Sequence, residues 1–148
     1  MYTILLIEDD EAICKELQLL LVKQGYEAVC WDLQSDICDV IRQCDPHIIL
    51  LDINLPQVDG FTLCSQIRSF SKVPVIFVTS RNTDMDELCS MQMGGDDFIT
   101  KPYNTSILLA RIAALLKRSY EWKDQNLTHN GVTLDVAMSR ISFQKKTR

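Results

Sequence analysis

The segment from residue 48 to residue 52 constrains the fold of this chain more than any other stretch. An unbroken apolar run, Ile48 to Leu51, is followed directly by Asp52. A run of this length without polar alternation is typical of a strand buried on both faces, as in a parallel sheet. Ligands and chemistry in open α/β sheets gather at the carboxyl ends of the strands. Asp52 is therefore a candidate site residue.

Strand and helix patterns alternate five times along residues 1–118. Strand patterns occupy residues 3–7, 26–31, 48–51, 75–78 and 96–100, and helical spacing of apolar residues predicts helices over 11–24, 35–44, 60–70, 84–93 and 104–118. We expect Ser35 and Asn104 to cap two of these helices and Gly25 to end the first. Because crossover connections are right-handed, the alternation predicts an α/β fold, with helices on both faces of a parallel sheet.

Polar residues of matching chemistry follow four of the five predicted strands. Glu8 and Asp9 follow the first, Asp52 the third, Thr79 the fourth and Lys101 the fifth. Acids placed together at one sheet edge repel one another unless a cation is present. Oxygen ligands at such a carboxylate cluster suit Mg²⁺.

Composition narrows the possible partners and the compartment. The 148-residue chain has a formal net charge of −5 and a pI of about 4.9, which argues against gripping nucleic acid by charge alone. Its six cysteines are scattered, without a CxxC pair, and we expect reduced thiols. No signal peptide and no membrane-spanning apolar run is visible in the sequence. These features predict a cytoplasmic protein without membrane insertion.

The strand-end residues resemble those of a two-component response regulator receiver domain of the OmpR/PhoB family. The resemblance covers residues 1 to about 118 and is carried by Glu8-Asp9, Asp52, Thr79, Lys101-Pro102, Leu55-Pro56, Asp59-Gly60 and the run from Gly95 to Pro102. It implies a (βα)5 doubly wound, flavodoxin-like fold with strand order 2-1-3-4-5. The run from Ser90 to Phe98 is also similar to the subgroup that regulates bacitracin and antimicrobial-peptide resistance.

The resemblance also implies roles for the site residues. Asp52 would accept a phosphoryl group from a sensor histidine kinase, and Asp9, Asp52 and the main-chain carbonyl of Asn54 would hold Mg²⁺, with Glu8 acting through water. Thr79 and Lys101 would bind phosphoryl oxygens, Phe98 would turn inward as the switch aromatic, and the bond before Pro102 would be cis. The protein would be a phosphoacceptor with only self-phosphorylation and self-dephosphorylation chemistry, and not a turnover enzyme.

Dimerisation on phosphorylation is the output that the resemblance implies, through the fourth helix, fifth strand and fifth helix. Ion pairs on that face would be Asp97 with Arg111 and Asp96 with Arg118. A third pair of the family is missing, because Glu87 and Ile107 occupy its positions. The alternative reading is that these charges are ordinary solvated surface and Phe98 an ordinary core ring.

Met85, Met91 and Met93 are interpreted as packing residues rather than a cofactor site.

After Arg118 the sequence changes character. Residues 119–126 are polar with two aromatic residues and are interpreted as a linker. Residues 127–148 alternate short apolar pieces around Asn130-Gly131, a strong hairpin signal. In the family a small sheet here opens a winged-helix DNA-binding domain, so we expect the domain to be truncated. Promoter DNA would be a partner only through the full-length effector domain.

Three other functions remain as alternatives. An aspartyl-phosphate hydrolase of the haloacid type needs a second acid two residues after the nucleophile, and that position is Asn54. A flavin-binding module needs a phosphate loop after the first strand, where Glu8, Asp9 and Asp10 would repel a phosphate. A phosphorylation-independent interaction domain would not need the full set of strand-end residues.

Overall fold

The computed structural model describes residues 1–122 and contains one parallel sheet within them. Its strands are β1 (Thr3–Ile7), β2 (Glu27–Cys30), β3 (Ile48–Leu51), β4 (Val75–Thr79) and β5 (Asp97–Thr100). The helices are α1 (Glu11–Lys23), α2 (Ile37–Cys44), α3 (Gly60–Arg68), α4 (Asp84–Gln92) and α5 (Thr105–Leu116). Every neighbouring pair of strands is parallel, and the order is β2-β1-β3-β4-β5. The expected α/β fold and its strand order 2-1-3-4-5 are therefore confirmed.

The three central strands, β1, β3 and β4, are buried on both faces, which explains their unbroken apolar runs. One core cluster joins alternate strand residues, including Leu5, Ile49 and Phe77, to apolar residues of α2 and α3. The residues between them, such as Leu6 and Leu50, point to the opposite face and are also buried. Leu17 of α1 lines a small cavity together with these two leucines, so α1 covers that opposite face.

Helix ends are fixed by the residue types that the sequence pattern favours, with one correction. Asn104 accepts hydrogen bonds from the amides at the start of α5, and Gly25 has φ +92° just after α1, as expected. The prediction that Ser35 caps α2 is wrong, because Asp36 is the N-cap and accepts from the Asp39 amide. The Ser35 hydroxyl instead donates to Asp32 at 2.6 Å, within the preceding loop.

The methionines in α4 and directly after it do not pack into the core. Met85, Met91 and Met93 are exposed, Met85 by 70% of its surface. The interpretation of these three residues as packing residues is therefore wrong. Because α4 begins with a capping box between Thr83 and Asp86, hydrogen bonds rather than methionine burial define its start.

The chain remains helical beyond the predicted end of the fifth helix. A π-helical segment, Lys117–Trp122, follows α5 and occupies the first residues of the predicted linker. The predicted hairpin at Asn130-Gly131 and the predicted DNA-binding strands lie outside the described residues. The sheet, α1 to α4 and the strand-end residues all belong to one compact unit, Met1–Leu108. Within residues 1–122, no helix combines the length and the apolar character that crossing a membrane requires.

Candidate functional site

The parallel sheet brings the polar strand-end residues to one edge. β1 and β3 pair with Ile7 opposite Leu51, and β4 and β5 pair with Thr79 opposite Thr100. Leu51 in turn pairs with Phe77, so β4, whose last residue is Thr79, runs two residues beyond the end of β3. In this register the strand-end residues fall within two residues of one another along the strand direction. The structure brings together Glu8, Asp9, Asp52, Thr79 and Lys101.

Three acids form a cluster at this edge. One carboxylate oxygen from each of Glu8, Asp9 and Asp52 lies within 4.8 Å of the other two. Glu8 and Asp52 are only 9% and 7% exposed, whereas Asp9 is open to solvent. An all-oxygen, partly open donor set fits a hard divalent cation such as Mg²⁺ better than a softer metal.

Lys101 is the cation that the chain itself supplies to these acids. Its Nζ donates a short hydrogen bond to Glu8 and another to Asp52 Oδ2, at 3.0 Å. The side chain is 19% exposed. The Lys101–Pro102 peptide bond is cis. Asp52 and Glu8 are thus partly neutralised by one ammonium group.

The pKa values at the site reflect competition between burial and pairing. Burial raises the pKa of Glu8 above its ordinary value, although the hydrogen bonds from Lys101 and from the Asp10 amide oppose this rise. Burial lowers the pKa of Lys101, but its hydrogen bonds to Glu8 and Asp52 outweigh that effect and raise it overall. Lys101 therefore stays charged at neutral pH.

The carboxylate of Asp52 is held at both oxygens. Oδ1 accepts from the Ile53 amide at 2.7 Å and from the Asn54 amide at 3.4 Å, while Oδ2 accepts from Lys101. The Asp52 amide donates to the Ile7 carbonyl at 3.0 Å, which anchors the residue to β1. Asn54 itself is exposed and forms an isolated antiparallel bridge with Asp59. The nucleophile candidate is oriented before any ligand arrives.

Gly60 is a site-supporting residue whose importance the sequence pattern does not reveal. Its amide donates to the Ile53 carbonyl at 2.7 Å. A Cβ at this position would lie 2.3 Å from the Asp52 carbonyl oxygen and 2.6 Å from the Ile53 Cα. In the sequence, Asp59-Gly60 signals a turn and a helix start and forms part of the family resemblance. Neither signal shows that the glycine allows close backbone approach beside Asp52.

Thr79 and Phe98 lie near the site but in different environments. Thr79 is fully buried, and its Oγ1 accepts from the Arg81 amide at 3.3 Å. The Arg81 guanidinium pairs with Asp86 at 2.8 Å and lies 5.3 Å from the centroid of the Phe61 ring. Phe98 is half-buried and packs against the core cluster. The loop after β4 therefore connects the Thr79 hydroxyl to the start of α4.

The proposed dimer charges do not share one environment. Arg111 and Arg118 are exposed, Asp97 is half-buried and Asp96 is exposed. Within the chain, Asp96 pairs with Arg68 at 3.1 Å and accepts from the Val75 amide at 2.9 Å. Sequence patterns carry no signal for the contact with Arg68, because the two residues lie on separate elements.

Comparison with known proteins decides the family. The model of the family "Response regulator receiver domain" matches residues 4–113. The chain belongs to the response regulator receiver domain family. It therefore contains the receiver domain of a two-component response regulator, as its strand-end residues suggest.

Curated relatives of this receiver domain are longer proteins. Response regulator protein GraR of Staphylococcus haemolyticus is 36% identical over 143 residues, covering 96% of this chain and 64% of the relative. Transcriptional regulatory protein YvcP of Bacillus subtilis is 42% identical over 120 residues, covering 81% of this chain and 51% of the relative. The chain thus spans between about half and two thirds of the length of these relatives.

Solved receiver domains show the same fold. The N-terminal domain of the nisin resistance regulator NsrR, a lantibiotic response regulator, is 35% identical with a TM-score of 0.72, covering 78% of this chain and 98% of that one. The BeF3-activated receiver domain of Klebsiella pneumoniae RstA is 33% identical with a TM-score of 0.72, covering the same shares. The match to a lantibiotic regulator agrees with the resemblance to the antimicrobial-peptide resistance subgroup.

Proposed function

We propose that this receiver domain accepts a phosphoryl group on Asp52 from a phosphohistidine of a sensor histidine kinase. The observation that carries the proposal is the position of Asp52. It is buried at the sheet edge, one of its oxygens accepts a hydrogen bond from Lys101, and Glu8 and Asp9 lie beside it. A buried carboxylate followed two residues later by Asn54, where a hydrolase of this kind needs a second acid, suits a covalent acceptor better than a hydrolase. Family membership supports the same role.

The chain's own residues perform the transfer. An Asp52 oxygen attacks phosphorus, the new O–P bond forms, and the N–P bond breaks with its electron pair left on the kinase imidazole. Lys101 donates a hydrogen bond to Asp52 Oδ2 in this structure, and after the transfer it would bind a negatively charged phosphoryl oxygen instead. Asp9, Asp52 and the Asn54 carbonyl would hold Mg²⁺, with Glu8 acting through water. The ion would supply neutralisation of the crowded negative charge.

Switching starts at the Thr79 hydroxyl. Thr79 Oγ1 accepts from the Arg81 amide in this structure, and its hydroxyl proton is the donor it can offer to a phosphoryl oxygen. A shift of Thr79 towards the phosphoryl group would pull the loop after β4, which Arg81 ties to Asp86 in α4. Phe98 would then turn inward. Since phenylalanine has no hydroxyl, its rotamer would be set by packing alone.

The output is dimerisation and control of transcription by a DNA-binding domain. The dimer face would use α4, β5 and α5, with Asp97 opposite Arg111 and Asp96 opposite Arg118. The stimulus class would be antimicrobial peptides, as the name of the NsrR relative suggests. The protein would work in the cytoplasm as a regulator rather than a turnover enzyme, since Asn54 offers no acid for hydrolysis.

Acetyl phosphate with Mg²⁺ tests the acceptor. We expect one hydroxylamine-labile phosphoryl group by intact-mass analysis, located on Asp52 by peptide mapping. Asp52→Asn should remain unlabelled. Asp59→Asn should be labelled like the wild type, because the Asp59 side chain caps α3, a role that asparagine also fills, and the bridge to Asn54 is made by the main chain. Equal labelling of Asp52→Asn and the wild type would refute the assignment.

Analytical ultracentrifugation tests the dimer. Beryllofluoride, which stands in for the phosphoryl group on Asp52, should shift the wild type towards a dimer. Asp97→Arg should block the shift, and adding Arg111→Asp should partly restore it by exchanging the two charges. Dimerisation of Asp97→Arg alone at the wild-type level would show that another interface is used.

A further inference from the structure

Two cysteine side chains lie together beside the acidic site, and the proposed phosphoryl transfer uses neither of them. Cys14 is in the first half of α1, and Cys30 is the last residue of β2. The Cys30 thiol lies 3.7 Å from the main-chain carbonyl oxygen of Cys14 and donates to it. Both are free cysteines.

The packing of α1 on β2 fixes this neighbourhood at two points. Gln18, one turn after Cys14, donates from Nε2 to the Ala28 carbonyl at 2.8 Å. Four residues of helix rise about 6 Å, and two residues of strand rise about 6.6 Å. These two distances are nearly equal, and α1 runs antiparallel to β2. If Gln18 lies opposite Ala28, Cys14 therefore lies opposite Cys30. The thiol pair is therefore part of a defined packing register.

The two thiols differ in access. Cys14 is 4% exposed, whereas Cys30 is half-buried. Both line a cavity of about 500 Å³ that also reaches Glu8 and Asp9. Burial raises the pKa of the Cys14 thiol, and the neighbouring Cys30 thiol raises it further. Cys30 is the thiol that a small reagent meets first, and Cys14 is its buried partner.

We propose that Cys14 and Cys30 form an oxidisable thiol pair that a hydroperoxide closes to a disulfide. The Cys30 sulfur attacks the peroxide oxygen, the O–O bond breaks, and Cys30 becomes a sulfenic acid while an alcohol leaves. The Cys14 sulfur then attacks the Cys30 sulfur, the S–S bond forms, and water leaves with the Cys14 proton. Two thiols are oxidised by two electrons, and the hydroperoxide is reduced to the alcohol and water.

The disulfide would connect α1 to the edge strand directly beside Glu8 and Asp9. The N-cap of α1 is Asp10, so the first turn of the helix follows the site acids without a break. A link from Cys14 to β2 would hold that turn on the sheet. Amide hydrogen exchange over residues 11–14 should accordingly slow down after oxidation, a change that an unlinked sulfenic acid on Cys30 would not produce.

Mass spectrometry of the full chain tests the pair. The protein is treated with stoichiometric tert-butyl hydroperoxide, blocked with N-ethylmaleimide and digested with chymotrypsin under non-reducing conditions. Cleavage after Trp31 separates Cys30 from Cys38, which trypsin would leave on one peptide. We expect a monomer that has lost two hydrogens, a dominant Cys14–Cys30 linked peptide, and reversal by dithiothreitol.

Matched variants complete the test. Cys30→Ser and Cys30→Ala should abolish the intramolecular link, and Cys14→Ser should leave Cys30 as a sulfenic acid that dimedone traps. Cys44→Ser is the control, since Cys44 is also half-buried but lies at the end of α2. Three results would each overturn the proposal. They are a dominant link between other cysteines, a purely intermolecular product, and overoxidation of Cys30 while Cys14 is still found blocked by maleimide.

Discussion

Replacing Lys101 by methionine should make the stability of this receiver domain depend strongly on Mg²⁺. Lys101 donates to both Glu8 and Asp52, and these two acids are 9% and 7% exposed. Methionine retains an unbranched, flexible side chain but removes the charge. The variant therefore leaves two buried carboxylates, which lie beside Asp9, without their ammonium partner.

The expected cost follows from the burial of the pair. Removing one partner of a buried ion pair costs about 3–5 kcal/mol, because the remaining charge is left uncompensated. The Lys101 side chain retains 19% exposure, so we expect the lower end, about 3 kcal/mol without metal. A cation bound at a concentration 100-fold above its dissociation constant returns about 2.7 kcal/mol. Removal of the competing ammonium should also tighten metal binding to the acids.

Urea denaturation at neutral pH, in EDTA and in saturating MgCl2, measures both the loss in the free energy of unfolding without metal and the part that the bound cation returns. Lys72→Met is the matched control, because Lys72 is exposed and its replacement should change the free energy of unfolding by less than about 0.5 kcal/mol. Adding Glu8→Gln to Lys101→Met should recover part of the loss in EDTA, since it removes one of the uncompensated charges.

Two outcomes would refute this reasoning. In EDTA, Lys101→Met could lower the free energy of unfolding by no more than Lys72→Met does. This result would show that the ion pairs of Lys101 with Glu8 and Asp52 behave like an exposed salt bridge. A loss that Mg²⁺ does not reduce would show that the cost comes from packing rather than from the uncompensated acids.

The remaining predictions concern the scaffold around the site. Gly60→Ala should lower the free energy of unfolding by about 1–3 kcal/mol in urea and weaken phosphorylation, because its Cβ would collide with the Asp52 carbonyl oxygen. Arg68→Met should cost about 2–3 kcal/mol in the same assay, with Arg68→Lys recovering little, because the fork of hydrogen bonds to main-chain carbonyls is lost. NMR titration should find the pKa of Asp32 lowered from 3.8 to about 2, because the carboxylate accepts hydrogen bonds first from the Ser35 hydroxyl and then from the Ser35 amide. The contribution of the Asp32 carboxylate to stability is therefore fully present above pH 3.8 and is lost as the pH falls towards 2. Ser35→Ala should move that pKa back towards 3.8, and an unchanged value would exclude the hydroxyl as the cause.

The fold was predictable because its signals are local. Apolar runs such as Ile48–Leu51 report burial on both faces, and Asn104 and Gly25 mark helix ends by their own chemistry. The cap of α2 was not predictable in the same way. Ser35 and Asp36 are adjacent and both can cap, and the loop contact between Ser35 and Asp32 decides the choice.

Apolar residue type alone did not reveal burial on α4. Its methionines occupy helical positions where a packing role is reasonable, yet Met85 is 70% exposed. Sequence periodicity reports which residues share a helix face, but it does not report whether another element covers that face. Tertiary structure alone supplies that information.

By itself, the sequence determined the parallel α/β fold and the kinds of residue at each strand end, because both depend on residues close together in the chain. Tertiary structure decided the contacts between distant residues. Lys101 bonds to Glu8 across 93 positions, and Arg68 bonds to the Gly94 carbonyl across 26. Cys14 and Cys30 likewise meet only through the packing of α1 on β2. These partners depend on strand register and helix packing, which bring together atoms whose separation along the chain carries no local pattern.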